Sequence, residues 1–254
     1  MAENKRADIV LYKAGLAESR TRARGLIKNG LAFINGTPIS KPSELIDPCG
    51  VLTLARETDG QALSVVSDVS RAGQKLRTAL ETFGLDAAGM VFADIGASTG
   101  GFTQCLLERG AARVYAVDVG EGQLHPSLQA DPRVVNMEGV NARFLTADSF
   151  PMPLNGAVMD VSFISQTLIY PALARVLPPG APLVTLVKPQ FEAGRENVGK
   201  NGVVKDKDGL ILEAVKLKIR LAAQDCGFSF EQMTESPVKG AKGNREYLVL
   251  LRKI

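Results

Sequence analysis

From residue 91 onward the sequence alternates short apolar runs with segments of helical periodicity, and this alternation restricts the fold more than any other feature. The predicted strands are Val91–Ile95, Arg113–Val119, Arg133–Asn136, Ala157–Asp160, Leu183–Val187, Phe228–Met233 and Tyr247–Arg252. The predicted helices are Arg71–Phe83, a segment that begins after Gly100, Leu168–Val176 and Leu210–Gly227. Such alternation is typical of an α/β domain with a largely parallel sheet and helices on both faces.

The first 56 residues have a different pattern, which predicts a small α+β unit. Ser19 can cap a helix over Arg20–Lys28, and Asn29-Gly30 supplies its stop. Asn35-Gly36 follows an apolar run and predicts a hairpin turn, while a further strand fits Val51–Leu54. A core this small is marginal alone, so we expect it to depend on the rest of the chain.

A polar stretch separates the two patterns. Residues 57–67 are rich in Gly, Gln, Ser and Thr and are interpreted as a linker. The predicted organisation is therefore an amino-terminal domain over residues 1–60, a linker over 61–68 and a larger domain over 69–254.

Basic residues are concentrated near the amino terminus. Residues 5–28 contain seven lysines and arginines against two acids, although the whole chain has a formal net charge of only +3. Arg20, Arg24 and Lys28 recur every four residues and form one stripe on the predicted helix. A local excess of this size suits a phosphate-rich partner, and a simply solvated helix face is the alternative.

Several classes of protein are excluded by composition. Cys49, Cys105 and Cys226 are far apart and odd in number, which argues against a disulfide framework and favours a reducing cytoplasm. His125 is the only histidine, so two-histidine metal sites and most histidine-based hydrolase schemes lack residues. With a single histidine and no cysteine pair, we predict no metal site. The amino terminus has no apolar signal core and no 18-residue apolar run occurs, so we expect no membrane span.

The loop after the first predicted strand, in "ADIGASTGGF", has the composition of a ligand-binding loop. Gly96, Gly100 and Gly101 allow the backbone to approach a ligand closely, and a helix that opens near Gly101 directs N–H groups at an anion. Asp118 ends the next strand, where a carboxylate can hold two ribose hydroxyls.

The details of this loop favour S-adenosylmethionine as the cofactor. A dinucleotide prefers Gly-x-Gly-x-x-Gly, but Ser98 replaces the second glycine, and the Gly-Lys-Ser/Thr of a phosphate-binding loop is missing. S-adenosylmethionine has a small carboxylate for the loop, a ribose for Asp118 and a sulfonium that tolerates Asp94. A tight turn without a ligand is the alternative. The predicted cofactor-binding residues are Asp94, Gly96, Ser98, Thr99, Gly100, Gly101, Phe102 and Asp118.

The same motif resembles the cofactor loop of the FtsJ-like 2′-O-ribose methyltransferases, and the wider chain resembles the TlyA (haemolysin A) family. The resemblance is carried by "RADIVLYKAGLAESRTRARGLIKNG", "DIGASTGGFT", "VMDVSFIS", "LVKPQFEAG" and "GNREYLVLL". It implies a Rossmann-like class I methyltransferase sheet of seven strands with the last one antiparallel. It also implies methyl transfer from S-adenosylmethionine to a ribose 2′-hydroxyl of ribosomal RNA, with ribosomal RNA or ribosomal subunits as partners.

The amino-terminal segment resembles the small RNA-binding module that a small-subunit ribosomal protein shares with tyrosyl-tRNA synthetases and pseudouridine synthases. The resemblance implies RNA contact by the basic residues of this unit. The candidate RNA-binding residues are Arg6, Arg20, Arg22, Arg24, Lys28 and Lys41.

The resemblance also implies a catalytic Lys-Asp-Lys-Glu tetrad. By motif its members fall on Lys75 in "RAGQKL", Asp160 in "VMDVSF", Lys188 in "VKPQFE" and Glu246 in "NREYLV". In one departure, Ala72-Gly73 stands where two glycines are expected.

The chemistry of 2′-O-methylation is consistent with these residue types. A ribose hydroxyl is a poor nucleophile at neutral pH, so a nearby lysine can stabilise the developing alkoxide or accept its proton. We expect Lys188 to be the central lysine, because it directly follows the strand "PLVTLV". For each of these four residues, the alternative is a structural role without catalysis, as an ion pair, a helix cap or a solvated side chain.

Two other functions remain open from the sequence. The protein could escort ribosomal RNA or an assembling subunit without catalysis, or it could act as a membrane pore, as the historical family name suggests. The absence of an apolar span argues against the pore. The sequence gives no basis for predicting a protein partner.

Overall fold

A computed structural model of the 254-residue chain describes residues 4–14, 16–17, 19–28, 30–48, 52–54, 68–206, 208–240 and 243–254. The chain divides into two compact units, residues 1–67 and 68–254. Of the predicted linker over 61–68, only Asp68 belongs to the described residues, and it begins a helix. Cys49, Asn29 and Val51 also lie outside them.

The first unit combines two helices with short antiparallel strands. Its elements are β1 (Lys5–Arg6), α1 (Ala7–Lys13), α2 (Arg20–Lys28), β2 (Ala32–Ile34), β3 (Thr37–Pro38), β4 (Leu45–Ile46) and β5 (Leu52–Leu54). The strand β2 pairs antiparallel with both β3 and β5, and β1 pairs antiparallel with β4. Buried side chains from both helices, among them Leu11 and Ile27, form its core with Ile39 and Ile46.

Local signals in the first unit are confirmed where the structure describes them. Oγ of Ser19 accepts a 3.1 Å hydrogen bond from the backbone N–H of Arg22 and so caps α2. Gly30 ends this helix with a φ of 70°. Asn35 and Gly36 have φ values of 49° and 79° and turn the chain from β2 into β3, as the sequence predicts. The helix α1 was not predicted.

The second unit is a seven-stranded sheet with helices on both faces. Its strands are β6 (Val91–Ile95), β7 (Arg113–Val117), β8 (Val134–Met137), β9 (Gly156–Met159), β10 (Pro182–Val187), β11 (Phe228–Glu235) and β12 (Tyr247–Lys253). Its helices are α3 (Asp68–Phe83), α4 (Gly101–Glu108), α5 (Pro126–Gln129), α6 (Tyr170–Val176), α7 (Pro189–Glu192) and α8 (Leu210–Asp225), with short 3₁₀ turns at Ala142–Phe144, Ala147–Ser149, Gln166–Leu168 and Arg195–Asn197.

The strand order is β11-β12-β10-β9-β6-β7-β8. Neighbouring strands from β10 to β8 are parallel, whereas β12 is antiparallel to both β10 and β11. The predicted α/β sheet with an antiparallel last strand is therefore confirmed. The order reverses between β6 and β9, which is where an open α/β sheet places its ligand.

Alternate residues of the central strands pack into two apolar layers. Ala93 and Ile95 of β6 face a layer that includes Leu173 of α6 and Ile219 of α8. Phe92, which directly precedes Ala93, faces a layer that includes Leu76 of α3 and Leu106 of α4. Successive side chains of a strand point to opposite faces of the sheet, and both faces are buried here. The central strands therefore have nearly continuous apolar sequences.

Two strand boundaries differ from prediction in a way that matters for the site. The strand β7 ends at Val117, which pairs with Met137 at the end of β8, rather than at Val119. The strand β9 ends at Met159 rather than at Asp160. Asp118 and Asp160 therefore lie one residue beyond their strands, at the carboxyl edge of the sheet. Within the described residues, no helix has the length and apolarity needed to cross a membrane.

Candidate active site

The glycine loop connects β6 to α4 and passes close to neighbouring strand ends. Gly96 has a φ of 80°, and a Cβ atom built on it would lie 2.7 Å from the carbonyl oxygen of Asp160. Gly100 has a φ of 96°, and its Cβ would overlap with Cδ1 of Leu128. Gly96 needs glycine because its neighbour is backbone, whereas Gly100 needs it because of its left-handed φ.

Asp118 anchors the loop to the end of β7. The backbone N–H of Ser98 donates to its Oδ2 at 2.8 Å, and the N–H of Gly120 donates to its Oδ1 at 2.8 Å. Ser98 itself has a φ of 47°. The structure thus brings the loop and the strand-end acid together, in the arrangement on which the cofactor prediction depends.

A cavity of about 500 Å³ opens at this edge of the sheet, within the range of small-molecule sites. Three of the predicted cofactor residues, Gly96, Ser98 and Asp118, line it. Its other lining residues are Ile95, Val117, Val119, Gly120, Gln123, Val140, Asn141, Ala142, Asp160, Val161, Ser162, Phe163, Ile164 and Ile169.

The other predicted cofactor residues lie around or beneath the cavity rather than on its wall. Phe102 is buried in the apolar layer that α3 and α4 cover. Gly100 and Gly101 are buried at the start of α4, and Thr99 is exposed on the loop. Thr99 contributes its carbonyl oxygen, which accepts a hydrogen bond from the N–H of His125 at 3.3 Å.

Asp94 is fully buried beneath the loop. Oγ1 of Thr103 donates to its Oδ2 at 2.7 Å, while its Oδ1 has no hydrogen-bond partner among the described residues. Burial raises the pKa of Asp94 to about 7, against the opposing effect of the Thr103 hydrogen bond and with a further increase from Asp160 and Asp118. A buried, unpartnered carboxylate oxygen at this place suits a cationic ligand group or a bound water.

These features fit S-adenosylmethionine. Asp118, one residue beyond β7, lines the cavity, as the predicted contact with ribose hydroxyls requires, and Asp94 places an unpartnered carboxyl oxygen below the loop. The apolar wall includes Val119 and Val140, which follow the ends of β7 and β8. This wall and Asn141 were not predicted from the sequence, because the residues stand outside any glycine motif. Their only signal is that they follow strand ends.

The first predicted catalytic pair joins the ends of two adjacent parallel strands. Asp160 follows β9 and Lys188 follows β10, and Nζ of Lys188 lies 2.5 Å from Oδ1 of Asp160. The same ammonium group donates to Oγ of Ser162 at 2.8 Å. Both charged side chains are mostly buried but still reach solvent, at 12% and 16% exposure. Asp160 also lines the cavity, so this pair borders the cofactor site.

The second pair comes from the two ends of the second unit. Lys75 lies on α3, and Glu246 immediately precedes β12. Nζ of Lys75 donates to Oε2 of Glu246 at 2.6 Å, and both residues are buried. Because Tyr247 pairs with Val187 in the antiparallel ladder, the residues next along each strand, Glu246 and Lys188, are also neighbours. The structure therefore gathers all four predicted residues at one edge of the sheet.

Gly73 explains how α3 brings Lys75 to this edge. A Cβ atom on Gly73 would lie 3.1 Å from the carbonyl oxygen of Gly101, at the first residue of α4. A small residue here lets α3 pack closely against the helix that follows the glycine loop. Ala72, at the position where the family pattern predicts a glycine, is half-buried and packs against the same apolar layer.

Glu192, which was not predicted from the sequence, connects the segment after Lys188 to the segment after Asp160 through hydrogen bonds. This buried carboxylate lies on α7, just after Lys188. It accepts hydrogen bonds from Oγ of Ser165 at 2.5 Å and from the N–H of Gln166 at 2.9 Å, both in the loop after Asp160. Lys218 neutralises it at 2.8 Å. The loops that carry Asp160 and Lys188 are thereby held in a fixed relation.

An exposed aromatic residue stands beside the first catalytic pair. Phe163 is 92% exposed and has a φ of 65°, which is rare for a bulky residue. Its ring centroid lies 5.2 Å from that of Phe191, on the short helix α7 that follows Lys188. A large exposed ring held in a strained backbone conformation indicates a functional constraint rather than packing.

The candidate RNA-binding residues lie in the first unit. Arg6, Arg20 and Arg24 converge on the carboxylate of Asp8. Lys28 and Lys41 are exposed, and Arg22 is half-buried. In the part of the chain that the structure describes, no group of three or more His, Cys, Asp or Glu side chains could hold a metal ion.

Comparisons with known proteins agree with this geometry. Residues 69–253 match the FtsJ-like methyltransferase family, and residues 5–52 match the S4 domain. The 16S/23S rRNA (cytidine-2′-O)-methyltransferase TlyA of Mycobacterium tuberculosis is 44% identical over 257 residues, which cover 99% of this chain and 91% of TlyA. Hemolysin A of Brachyspira hyodysenteriae is 40% identical over 245 residues, which cover 96% of this chain and 98% of that protein.

A solved structure gives the same result. A protein from Streptococcus thermophilus described as a hemolysin is 43% identical and superposes with a TM-score of 0.73, over 100% of this chain and 90% of its own. The resemblance inferred from the motifs is thus confirmed over nearly the whole length. The chain belongs to the FtsJ-like methyltransferase family, within the group that includes TlyA and hemolysin A.

Proposed function

We propose that this protein transfers a methyl group from S-adenosylmethionine to the 2′-hydroxyl of a ribose in ribosomal RNA. The observation that carries the proposal is the meeting of Lys188–Asp160 and Lys75–Glu246 at the sheet edge, beside a cavity that contains Asp118. Bound S-adenosylmethionine supplies an electrophilic methyl group and leaves as S-adenosylhomocysteine.

The four charged residues act on the ribose oxygen. Lys188 stabilises the negative charge that develops on the 2′-oxygen as its proton leaves, since its ammonium group contacts Asp160 and Ser162, which both line the cavity. Asp160 and Ser162 hold that ammonium group in place, at 2.5 Å and 2.8 Å. General acid–base assistance of this kind contributes about 10²- to 10⁴-fold to a rate.

Lys75 and Glu246 have a supporting role in the same proposal. Their pair is buried, so it adds little charge of its own but orients the groups next to Lys188. Positioning of the ribose oxygen in line with the methyl group is the larger contribution, about 7–11 kcal/mol in well-oriented systems.

An RNA substrate is supported by features outside the charged pairs. The exposed ring of Phe163, which packs against the half-buried ring of Phe191, offers a surface on which an unstacked base can lie. The first unit matches the S4 domain and exposes Arg20, Arg24, Lys28 and Lys41. Ribosomal RNA is also the substrate named for TlyA of Mycobacterium tuberculosis. We extend the proposal to a cytoplasmic location, where such a substrate is found.

The rival function is an RNA-binding assembly factor in which catalysis is lost. The retained geometry of both charged pairs and of the cofactor cavity argues for catalysis, because an escort needs neither. Membrane lysis by the purified protein, retained after the glycine loop is disrupted, would instead support the activity in the hemolysin name.

The direct test is mass mapping of RNA modification. Purified 16S and 23S ribosomal RNA and intact subunits are incubated with the protein and methyl-labelled S-adenosylmethionine, and the labelled nucleosides are analysed by mass spectrometry. The proposal predicts label on a ribose 2′-oxygen. Label on a base, or no transfer to any of these substrates while RNA binding persists, would reject it in favour of another methyl acceptor or of the assembly factor.

A further inference from the structure

A buried carboxylate lies among the basic residues of the first unit. Asp8, in the first turn of α1, has an exposed fraction of 0%. An ionised carboxylate is costly to bury unless it is paired and hydrogen-bonded. The groups that contact Asp8 therefore explain its presence on a surface that otherwise carries positive charge.

Three arginines from two segments close around this carboxylate. Arg6 donates from Nε to Oδ1 at 3.0 Å and from Nη2 to Oδ2 at 3.2 Å. Nη2 of Arg20 donates to Oδ2 at 3.3 Å, and Nε of Arg24 lies 3.7 Å from the same oxygen. The Arg6 hydrogen bond is the main cause that lowers the pKa of Asp8, so its carboxyl group is ionised at neutral pH.

The three guanidinium groups still face water. Their side chains are 39%, 52% and 56% exposed for Arg6, Arg20 and Arg24. One carboxylate among three guanidinium groups leaves an excess of two positive charges. Each guanidinium has five N–H donors, and Asp8 accepts two hydrogen bonds from Arg6 and one from Arg20, whereas Arg24 contacts it only as an ion pair. The remaining donors are available to a phosphate, for which a planar guanidinium is well suited.

Backbone hydrogen bonds bring a third basic segment to the same place. The N–H of Asp8 donates to the carbonyl oxygen of Pro42 at 3.1 Å, and the N–H of Ala7 donates to that of Glu44 at 2.8 Å. Lys41, which is exposed, directly precedes Pro42. Residues that are distant in sequence thus form one basic surface around Asp8.

We propose that Asp8 is a positioning residue that holds Arg6, Arg20 and Arg24 in the arrangement that binds an RNA phosphate. The choice of RNA as ligand rests on the proposed function. Arginine side chains lose much rotamer freedom when they bind, and ordering them beforehand reduces that loss. The carboxylate also offsets the mutual repulsion of three cations held close together.

The variant Asp8→Asn separates this proposal from a simple effect of net charge. If net charge alone governed binding, removal of a negative charge would strengthen binding to a polyanion. The proposal predicts the opposite sign: affinity for purified 23S or 16S ribosomal RNA falls on the order of tenfold. The slope of log affinity against log salt concentration also becomes shallower by about one phosphate contact. Filter binding over a series of KCl concentrations measures both quantities.

The matched control is Asp47→Asn, which makes the same change in charge at an exposed acid of the same unit. Its RNA affinity is expected to be unchanged or increased. A folded Asp8→Asn protein that binds RNA as tightly as the wild type or more tightly would overturn the proposal. Circular dichroism and thermal unfolding establish that the variant is folded.

A second variant keeps the proposal testable if Asp8→Asn does not fold. Arg6→Lys retains the charge and leaves Asp8 with cationic partners but removes the bidentate contact. It is expected to weaken RNA binding several-fold, and unchanged affinity would contradict the proposal. In methylation assays Asp8→Asn raises KM for RNA at unchanged kcat. The RNA-binding measurements do not depend on methyl transfer. A wild-type protein that binds RNA through these arginines but methylates nothing would therefore reject only the proposed function.

Discussion

Nζ of Lys75 donates a 2.6 Å hydrogen bond to Oε2 of Glu246, although the two residues are 171 positions apart in the chain. Lys75 lies near the start of the second unit and Glu246 near its end, and both are buried. Buried ion pairs contribute little net stability, because desolvation offsets their attraction. Stability alone therefore does not account for this pair, and the role proposed for it beside Lys188 offers an explanation.

The first prediction concerns the coupling of this pair. Replacement Lys75→Met leaves the Glu246 carboxylate buried and unpaired, and it should lower the free energy of unfolding by about 3–5 kcal/mol. In Lys75→Met with Glu246→Gln no buried charge remains, so its loss should be smaller than the sum of the two single losses. Urea unfolding measures each value. Additive losses would show that the pair is not coupled, and methyl transfer should fall in all three variants.

The second prediction concerns the glycine at the end of β6. The change Gly96→Ala places a methyl group where the carbonyl oxygen of Asp160 lies 2.7 Å away, and it adds the strain of a φ of 80°. Gly89→Ala is the matched control, since Gly89 has a φ of 71° but open space around it. The control should cost about 1–2 kcal/mol of stability from the backbone strain alone.

Gly96→Ala should cost about 1–3 kcal/mol more than this control, because the strand ends must move apart. It should also abolish binding of S-adenosylmethionine in calorimetry, while Gly89→Ala binds normally. Equal effects of the two substitutions would show that the close approach of Gly96 to Asp160 has no role.

The third prediction concerns pH. Burial raises the pKa of Asp94 to about 7 in the folded protein, whereas an unfolded aspartate has a pKa of about 3.9. Between these values the folded protein binds more protons than the unfolded chain, so the contribution of Asp94 to the free energy of unfolding falls as pH rises. The fall is at most about 1.4 kcal/mol per pH unit and ends above pH of about 7.

Urea unfolding of the wild type and of Asp94→Asn across this pH range isolates the effect. The stability of the wild type relative to the variant should decline toward neutral pH and then become constant. A difference that does not change with pH would mean that the pKa of Asp94 is the same in the folded and the unfolded protein, which would contradict the prediction.

The fourth prediction concerns Phe163, the exposed ring that packs against Phe191. Phe163→Ala should lower kcat/KM for RNA about 10- to 100-fold, since stacking of one base on an aromatic side chain is worth about 1–3 kcal/mol. The control Leu217→Ala removes another exposed apolar side chain, on α8, and should have no effect. Calorimetry measures the affinity of each variant for S-adenosylmethionine separately. An equal loss of cofactor affinity would assign Phe163 to the cofactor rather than to the RNA.

The sequence predicted the sheet well because buried parallel strands leave a strong signal. The runs that became β6 and β10 are mostly apolar and buried on both faces, and their bounds were predicted within one residue. The helix α1 was missed, because its pattern is short and its amino-terminal cap, Arg6, makes no side-chain cap hydrogen bond. The cofactor loop was recognisable because its glycines are needed for close backbone approach, as Gly96 shows.

The rest of the site depends on tertiary packing that no local pattern contains. The contact of Lys75 with Glu246 requires the antiparallel register of β12 and the close packing of α3 at Gly73. Motif resemblance identified both residues, but spacing alone did not relate them. Asp8 and Glu192 were overlooked because a single acid in a polar context reads as a solvated side chain. Only the contacts reveal that each gathers donors from several segments.

The measurement that tests the central claim most directly is single-turnover methyl transfer to ribosomal RNA by Lys188→Ala, with S-adenosylmethionine binding measured on the same protein. Lys216→Ala, on α8 and paired with Glu213, serves as the control. The account predicts that Lys188→Ala binds the cofactor about as well as the wild type and loses about 10²-fold or more of the transfer rate, while the control retains both. Transfer by Lys188→Ala at the wild-type rate would contradict it.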